Sequence, residues 1–220
     1  MIITIDGYAG SGKSTAARLL ADALGFELLN TGAMYRATAL VLGRAGIDIH
    51  TDPRDVAAIT AAVAGYRFDL HADRVWINDI ELTKHVYTEA MGRAASRVGT
   101  FPEVRAKLKA EQRRIADDRD VVCEGRDQGT AVFPHAPVKF FFTASAETRA
   151  TRRADQEGLP AEAVPELVAQ ISARDRQDEQ RAIDPLRRAD GAVLIDTSHI
   201  APDAVVARML EVVDRCRSRV

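Results

Sequence analysis

Residues 1–15 read MIITIDGYAGSGKST, a short apolar run followed directly by three glycines and a lysine. Residues 7–14 fit the pattern G-x-x-x-x-G-K-[ST] without a mismatch. Glycine loses more conformational freedom on folding than any other residue, so three glycines behind a buried strand need a reason. Because glycine has no Cβ, another group can come close to the backbone, and the pattern indicates a binding loop between a strand and a helix.

The chemistry of this loop is that of a phosphate-binding loop (P-loop). Successive backbone N–H groups turn toward phosphate oxygens, and the helix that follows presents its positive end to the same anion. Lys13 is expected to reach the β- and γ-phosphates of a nucleoside triphosphate, and the Ser14 hydroxyl is expected to ligate Mg²⁺. A chance glycine-rich turn is the alternative, but the strand before the loop and the helix after it favour the binding site. The loop residues predicted to contact the triphosphate are Gly7, Tyr8, Ala9, Gly10, Ser11, Gly12, Lys13, Ser14 and Thr15.

The composition favours a single α/β enzyme and argues against several other classes of protein. The chain has 220 residues, 46% of them hydrophobic, which is enough for one substantial domain with a small insertion. A net charge of −2 predicts no general attraction to nucleic acid or to anionic lipid. Two distant cysteines, no signal-peptide pattern and no apolar run of roughly 18 residues predict a reducing, cytoplasmic location.

Apolar runs that alternate with longer amphipathic segments predict a parallel sheet covered by helices on both faces, a three-layer α/β/α fold. Five strands are expected, at residues 2–6, 26–30, 121–124, 139–144 and 192–197. Helices are expected at residues 14–24, 102–118, 146–156 and 202–219.

Two regions depart from this alternation. Residues 52–88 contain three short, half-exposed strand patterns, with Asn78 and Asp79 as a hairpin turn, and they predict a small β-rich insertion. The alternative is that two of these strands form an edge of the main sheet. Residues 152–184 are rich in charged side chains and predict a mobile helical lid. The expected core is then residues 1–51 and 89–220, with the lid inside it.

Three arginine-containing segments are candidates for binding a second anionic substrate, because the planar guanidinium group suits phosphate. The first, NTGAMYRA, follows the second predicted strand, and in it Thr31 is expected to cap the next helix and Arg36 to lie one turn in. The second, EGRDQGTAVFP, follows the third predicted strand and contains Arg126 and Asp127. Both segments are therefore expected at the carboxyl edge of the sheet, where ligands bind in open α/β folds.

The third segment, ARDRQDEQRAIDP, brings Arg174, Asp178 and Arg181 to positions i, i+4 and i+7, which share one face of a helix. Each segment also has an ordinary structural explanation. The alternatives are a solvated arginine on a capped helix for the first segment, a local arginine–aspartate ion pair for the second, and solvated i,i+4 pairs for the third.

The order and spacing of these segments resemble those of bacterial cytidylate kinases. The resemblance also includes RAASRVGTFPEVR and VLIDTS, and it runs from Ile3 to about Ser198. The signatures GRDxGT…FP and RDxxDxxRAxxP occur together in that family. The resemblance implies transfer of the γ-phosphoryl group of ATP to CMP or dCMP with Mg²⁺. We expect a monomer whose partners are these small molecules, with no nucleic acid and no membrane.

The resemblance also implies roles for particular residues, most of them arginines. The residues implied for the acceptor phosphate are Arg36, Arg126 and Arg181, and those for the cytosine edge are Ser96, Arg105 and Asp127. The residues implied for the sugar are Arg174 and Asp178. Three residues of the lid are implied to contact the triphosphate: Arg152, Arg153 and Arg176. Lys13, Arg126 and Arg181 are the expected catalytic residues, and Thr31 is a further substrate contact. No general base is expected, because the attacking phosphate oxygen is already anionic at neutral pH.

Two residues depart from the family pattern. Tyr8 stands where the family usually has proline, and Asn30 stands where many members have aspartate. Because the side chain of Asn30 is a neutral amide, it is an open question whether a negative charge has any role beside the acceptor. The alternative functions are another P-loop kinase for a nucleoside monophosphate or small molecule, or a P-loop GTPase switch. The switch is disfavoured because the chain has no NKxD-like motif, and its one D-x-x-G spacing, residues 155–158, follows a basic run rather than a strand.

Overall fold

The computed structural model describes residues 1–49, 55–71 and 74–218. Strands and helices alternate through most of this length. In chain order they are β1 (Ile2–Gly7), α1 (Lys13–Leu24), β2 (Glu27–Asn30), α2 (Thr31–Arg44), α3 (Asp55–Ala64), β3 (Phe68–His71), β4 (Arg74–Ile77), β5 (Ile80–Glu81), α4 (Thr83–Val86), α5 (Glu89–Val98), α6 (Pro102–Ala116), β6 (Val121–Glu124), β7 (Val138–Thr143), α7 (Ala146–Glu157), α8 (Val164–Glu179), β8 (Val193–Asp196) and α9 (Pro202–Arg217). A one-turn π-helix, Gln128–Val132, follows β6, and a 3-10 turn, Ala161–Ala163, precedes α8.

The main sheet contains five strands in the order β2-β6-β1-β7-β8, and β1 pairs in parallel with both β6 and β7. The five predicted strands and the α/β fold class are therefore confirmed, with strand ends that differ by at most one residue. The register places Ile5 beside Glu124 and Gly7 beside Phe142. Since β1 and β6 end side by side, the segments that follow them begin at the same edge of the sheet.

The turn after β1 requires glycine at its first position. Gly7 has a φ of +141°, and a Cβ there would lie 2.1 Å from the carbonyl oxygen of Phe142 in β7. Gly12, at the start of α1, has a φ of +81°. Both conformations are unfavourable for residues with a side chain. The glycines of the pattern are thus needed by the backbone itself, and they bring the loop close to β7.

The predicted hairpin turn is confirmed in a second, three-stranded antiparallel sheet with the order β3-β4-β5. Asn78 and Asp79 have φ values of 50° and 65°, as a two-residue turn between β4 and β5 requires. The alternative, in which two of these strands form an edge of the main sheet, is wrong because they pair among themselves.

The region predicted as β-rich also contains a helix that sequence analysis did not predict. α3 has the sequence DVAAITAAVA, whose alanines have high helix propensity. Ile59 and Val63, four residues apart, are both buried and form its apolar face. Residues 50–54 and 72–73 lie outside the described residues. The insertion boundaries at 52 and 88 stay a prediction.

The predicted lid is helical, as expected, and it is built from parts of α7 and α8. Four buried side chains hold these helices together: Ala150, Ala154, Leu167 and Ile171. α8 ends at Glu179, five residues earlier than the predicted end of the lid at 184. The mobility of the segment and its limits stay predictions.

The chain folds as two compact units. The first comprises Met1–Phe26 and Val121–Val220, and the second comprises Glu27–Asp120. Within the described residues, the structure has no helix with the length and apolar character that a membrane crossing requires. The phosphate-binding loop, α7 and α8 belong to the first unit, whereas the small sheet and α2 to α6 belong to the second.

Candidate active site

Two side chains in the phosphate-binding loop donate hydrogen bonds to the backbone carbonyl of Tyr8. Lys13 Nζ donates a hydrogen bond to this oxygen at 2.6 Å, and Ser11 Oγ donates to it at 2.8 Å. Lys13 is buried, and this burial, followed by the charge of Arg126, holds the pKa of Lys13 well below its usual range. A bound anion would favour the charged ammonium again. The loop thus presents a buried lysine amine, which an anion would charge, where the sequence pattern predicts the β- and γ-phosphates.

Ser14, in the first turn of α1, forms a hydrogen bond with the last residue of β6. Its Oγ donates to Glu124 Oε2 at 2.8 Å, and Glu124 is buried. Hydroxyl and carboxylate oxygens are the kinds of ligand that Mg²⁺ accepts, so this pair fits the metal predicted at Ser14. The motif alone does not indicate Glu124 as a metal ligand, although a charged residue at the end of a buried strand is a signal for a functional role.

Asp6, near the end of β1, anchors the turn that follows β6. Its carboxylate accepts hydrogen bonds from the N–H groups of Gln128 at 2.8 Å and Gly129 at 2.7 Å. Burial raises the pKa of Asp6 to about 7, while these two N–H groups and the charge of Lys13 oppose the rise. A Cβ on Gly129 would lie 2.9 Å from Thr4 Oγ1, so glycine lets the turn approach β1 this closely.

This anchored turn begins directly after Asp127, the residue predicted to read the cytosine edge. Asp127 is buried, with 4% of its surface exposed. The sequence pattern indicates Asp127 but not Asp6, because an aspartate after an apolar run also marks an ordinary strand end. The structure makes Asp6 the residue through which β1 fixes the position of the turn.

Arg126 and Arg181 lie beside the same carboxylate. Arg126 Nε donates to Asp178 Oδ2 at 3.0 Å, and Arg181 Nη1 lies 4.0 Å from Asp178 Oδ1. Asp178 is buried, with 6% of its surface exposed. The partner of Arg126 is thus 52 residues away in the chain. The alternative for this segment was an ion pair between Arg126 and a neighbouring aspartate, and the observed pair is not local. The solvated pairing considered for the third segment is wrong, since Asp178 is buried against these two guanidinium groups.

The prediction that Arg174, Asp178 and Arg181 share one helix face is wrong for Arg181. α8 ends at Glu179, so Arg181 lies beyond it. Its Nε donates to the carbonyl of Ile183 at 2.8 Å, and its Nη2 contacts the carbonyl of Asp184. The chain turns back here because Asp184 precedes a proline, which disfavours helix. Arg174 remains on α8, and its charge contributes to the lowered pKa of Lys13.

Two of the three lid arginines, Arg152 and Arg153, form hydrogen bonds within the protein. Arg152 donates from Nη2 to the carbonyl of Thr197 at 2.6 Å, and Thr197 Oγ1 in turn donates to the carbonyl of Ser11 at 2.9 Å. Arg153 Nε donates to Glu157, in the same helix, at 3.0 Å. The exposed Arg176 lies on α8. Arg152 is thus linked to the phosphate-binding loop through Thr197, and the role of all three arginines at the triphosphate stays a prediction.

The second unit contains the other predicted acceptor residues. The cap of α2 is Asn30, whose Oδ1 accepts from the N–H of Ala33 at 3.0 Å. The prediction that Thr31 caps this helix is therefore wrong: Thr31 is its first residue. Asparagine and threonine are both good capping residues, so the sequence did not distinguish them. The guanidinium carbon of Arg36, one turn in, lies 5.0 Å from the ring centre of Tyr87.

Arg105 is almost completely buried, with 2% of its surface exposed. Its Nη1 donates to the carbonyl of Gly99 at 3.3 Å, and its guanidinium carbon lies 5.7 Å from the ring centre of Tyr35. Ser96, the other predicted cytosine contact in this unit, lies in the last turns of α5, just before Gly99. Two of the three residues expected to read the base, Ser96 and Arg105, thus lie near one helix end in the second unit, and Tyr35 is a further contact that the sequence pattern did not indicate.

Solved structures with a similar fold include kinases. Shikimate kinase from Bacteroides thetaiotaomicron aligns with a TM-score of 0.51 at 12% identity and covers 97% of this chain and 98% of that one. At this low identity the likeness concerns the fold alone.

The sequence comparisons identify the family. The family model described as cytidylate kinase matches residues 3–215. Cytidylate kinase of Mycobacterium leprae (strain Br4923) is 42% identical over 216 residues, which cover 97% of this chain and 95% of that protein. Cytidylate kinase of Cupriavidus necator is 41% identical over 213 residues, with 96% and 94% covered. The chain belongs to the cytidylate kinase family.

Proposed function

We propose that the protein transfers the γ-phosphoryl group of ATP to CMP or dCMP, and so forms ADP and CDP or dCDP. The observation that carries this proposal is the family match over residues 3–215, which includes every residue of the candidate active site. The geometry of the first unit supports it, since a buried lysine, a serine–glutamate pair and two arginines beside one aspartate suit a reaction between anionic phosphates.

The proposed chemistry depends on positioning and charge. An anionic oxygen of the acceptor phosphate attacks the γ-phosphorus, and the bond from the γ-phosphorus to the β,γ-bridging oxygen breaks, so ADP leaves. Lys13, Arg126 and Arg181 stabilise the negative charge that spreads over the transferring group. No residue needs to remove a proton. Helices α7 and α8 would exclude water, which would otherwise accept the phosphoryl group.

Ser14 and Glu124 are the residues that would hold Mg²⁺. When bound, the ion neutralises charge on the β- and γ-phosphates. With these two residues as protein ligands, phosphate oxygens and water would supply the other ligands, as is usual for Mg²⁺. Ser14 presents its hydroxyl from the start of α1, and Glu124 holds that hydroxyl in place.

Glu124→Gln tests this metal assignment. The amide keeps the shape of the side chain but removes a negative charge, so we expect the Mg²⁺ concentration for half-maximal rate to rise by about tenfold. The measurement is the initial rate against Mg²⁺ concentration at saturating nucleotides. The exposed Glu147→Gln, on α7, is the matched control. An unchanged Mg²⁺ dependence in Glu124→Gln would remove this residue from the metal site.

Base specificity is proposed to depend on Asp127, with Arg105 and Ser96 as further contacts. Asp127 accepts a hydrogen bond from the amino group of cytosine, whereas uracil has a carbonyl at that position. An unmatched buried polar group costs about 1–3 kcal/mol, so kcat/KM for CMP should exceed that for UMP by about 5- to 150-fold. Asp127→Asn can donate to uracil, and we expect it to reduce this preference to within about fivefold. An unchanged preference in the variant would show that another residue reads the base.

The proposed function is tested by ADP release across CMP, dCMP, UMP, AMP and GMP. We expect turnover with CMP and dCMP well above that with the other three, and little ADP release without an acceptor. Preferred turnover of AMP or GMP would reject the proposal. A monomer and a cytoplasmic location stay predictions; light scattering after size-exclusion chromatography tests the first.

A further inference from the structure

Tyr8 holds the phosphate-binding loop with its side chain as well as its backbone. Its hydroxyl donates to Glu179 Oε1 at 2.7 Å. Its ring lies edge-on to Phe141, with the ring centroids 5.8 Å apart, and the guanidinium carbon of Arg149 lies 5.3 Å from the ring centre. Side chains from β7, α7 and α8 therefore fix the orientation of one loop residue.

These contacts belong to a larger link between the loop and the last turns of α8. Arg149, near the start of α7, donates to the carbonyl of Ala9 at 3.2 Å and forms an ion pair with Asp175 at 2.6 Å. Asp175 and Glu179 are four residues apart on α8, so they share a face of that helix. This face is thus joined to two consecutive loop residues, to Ala9 through Arg149 and to Tyr8 directly.

The same turn of α8 contains Asp178, which lies beside both Arg126 and Arg181. A shift of this turn relative to the loop would move the two arginines relative to Lys13. Small misplacements of catalytic groups strongly reduce the rate of a reaction that depends on positioning.

We propose that Tyr8 is a positioning residue: its hydroxyl, through Glu179, fixes the last turn of α8 relative to the phosphate-binding loop. This places Arg126 and Arg181 for phosphoryl transfer, and it rests on the proposed function. The hydrogen bond to Glu179 raises the pKa of Tyr8 to about 12, so the hydroxyl remains a donor throughout the pH range of an enzyme assay.

Tyr8→Phe tests this role, because it removes the hydroxyl and keeps the ring contacts and the carbonyl that binds Lys13. We expect kcat to fall by about fivefold, while KM for ATP and for CMP each change by less than about twofold, since the lost contact aligns groups in the transition state. Glu179→Gln should lower kcat to a similar extent. The double variant Tyr8→Phe/Glu179→Gln should be no slower than either single variant, because both remove the same interaction.

Two control variants are matched to these changes. Tyr66→Phe removes a hydroxyl in the second unit, and Glu166→Gln removes an exposed carboxylate in the first turn of α8. Both should keep the wild-type kcat. If the role of Tyr8 is merely structural, Tyr8→Phe will have a lower melting temperature but the folded enzyme will keep its kcat. That result would overturn the proposal. Additive effects on kcat in the double variant would overturn it as well. If the wild type does not turn over CMP, the proposed function fails and the positioning role fails with it, whereas normal wild-type turnover with an unchanged Tyr8→Phe rejects the positioning role alone.

Discussion

Replacing Arg181 with alanine should lower kcat by about 100- to 1,000-fold, the effect of losing a donor worth about 3–4 kcal/mol to the transition state. KM for ATP should change by less than about threefold, because the phosphate-binding loop keeps its own contacts with the triphosphate. The guanidinium group acts mainly where negative charge develops during transfer, so its loss affects the transition state more than the bound substrates. Steady-state kinetics with ATP and CMP varied in turn measure both quantities.

The control for this variant is Arg187→Ala, which removes an exposed arginine from the segment that follows. It should keep the wild-type kcat and KM. Arg181→Lys should be intermediate, since lysine keeps the charge but cannot contact the carbonyls of Ile183 and Asp184 with a planar fork. Wild-type turnover in Arg181→Ala would remove this residue from the catalytic group.

The second large effect concerns stability and depends on Asp6. Burial raises its pKa from 3.8 to about 7 in the folded protein. A carboxyl group with a raised pKa in the folded state contributes stability that is fully present below pH 3.8 and is lost as the pH rises through about 7. The difference of about 3 pH units corresponds to about 4 kcal/mol. The free energy of unfolding of the wild type should therefore fall, relative to that of Asp6→Asn, between pH 4 and pH 8.

Urea unfolding of the wild type and of Asp6→Asn at intervals of pH measures this difference. The comparison cancels the titration of groups that the two proteins share. Asp22→Asn, exposed on α1, gives the background for a change from aspartate to asparagine. A difference between wild type and Asp6→Asn that is constant from pH 4 to pH 8 would contradict the raised pKa. It would indicate that the N–H groups of Gln128 and Gly129 hold Asp6 ionised throughout.

The sequence predicted those parts of the fold that depend on local pattern. The five strands are short apolar runs bounded by polar residues, and the phosphate-binding loop is defined by eight consecutive positions, 7–14. The hairpin turn at Asn78 and Asp79 was also found from neighbouring residues, because both residue types tolerate positive φ.

Features that depend on distant partners were missed. Asp6 binds a turn 122 residues away, Ser14 binds Glu124 across 110 residues, and Arg149 binds Ala9 across 140 residues. No local spacing indicates such pairs. The end of α8 is a similar case. The charge periodicity continues through Arg181, but the helix ends at Glu179, and the carbonyl of Asp178 accepts a hydrogen bond from the N–H of Leu186, eight residues on, at 2.8 Å.

The central claim is that the protein positions two nucleotides for direct transfer of a phosphoryl group and excludes water. ³¹P NMR of ATP and CMP with the enzyme and Mg²⁺ tests it most directly, because it follows each phosphorus atom from substrate to product. We expect the ADP and CDP signals to grow in equal amounts while inorganic phosphate stays at the background level. Inorganic phosphate that accumulates with ADP, without a CDP signal, would contradict it.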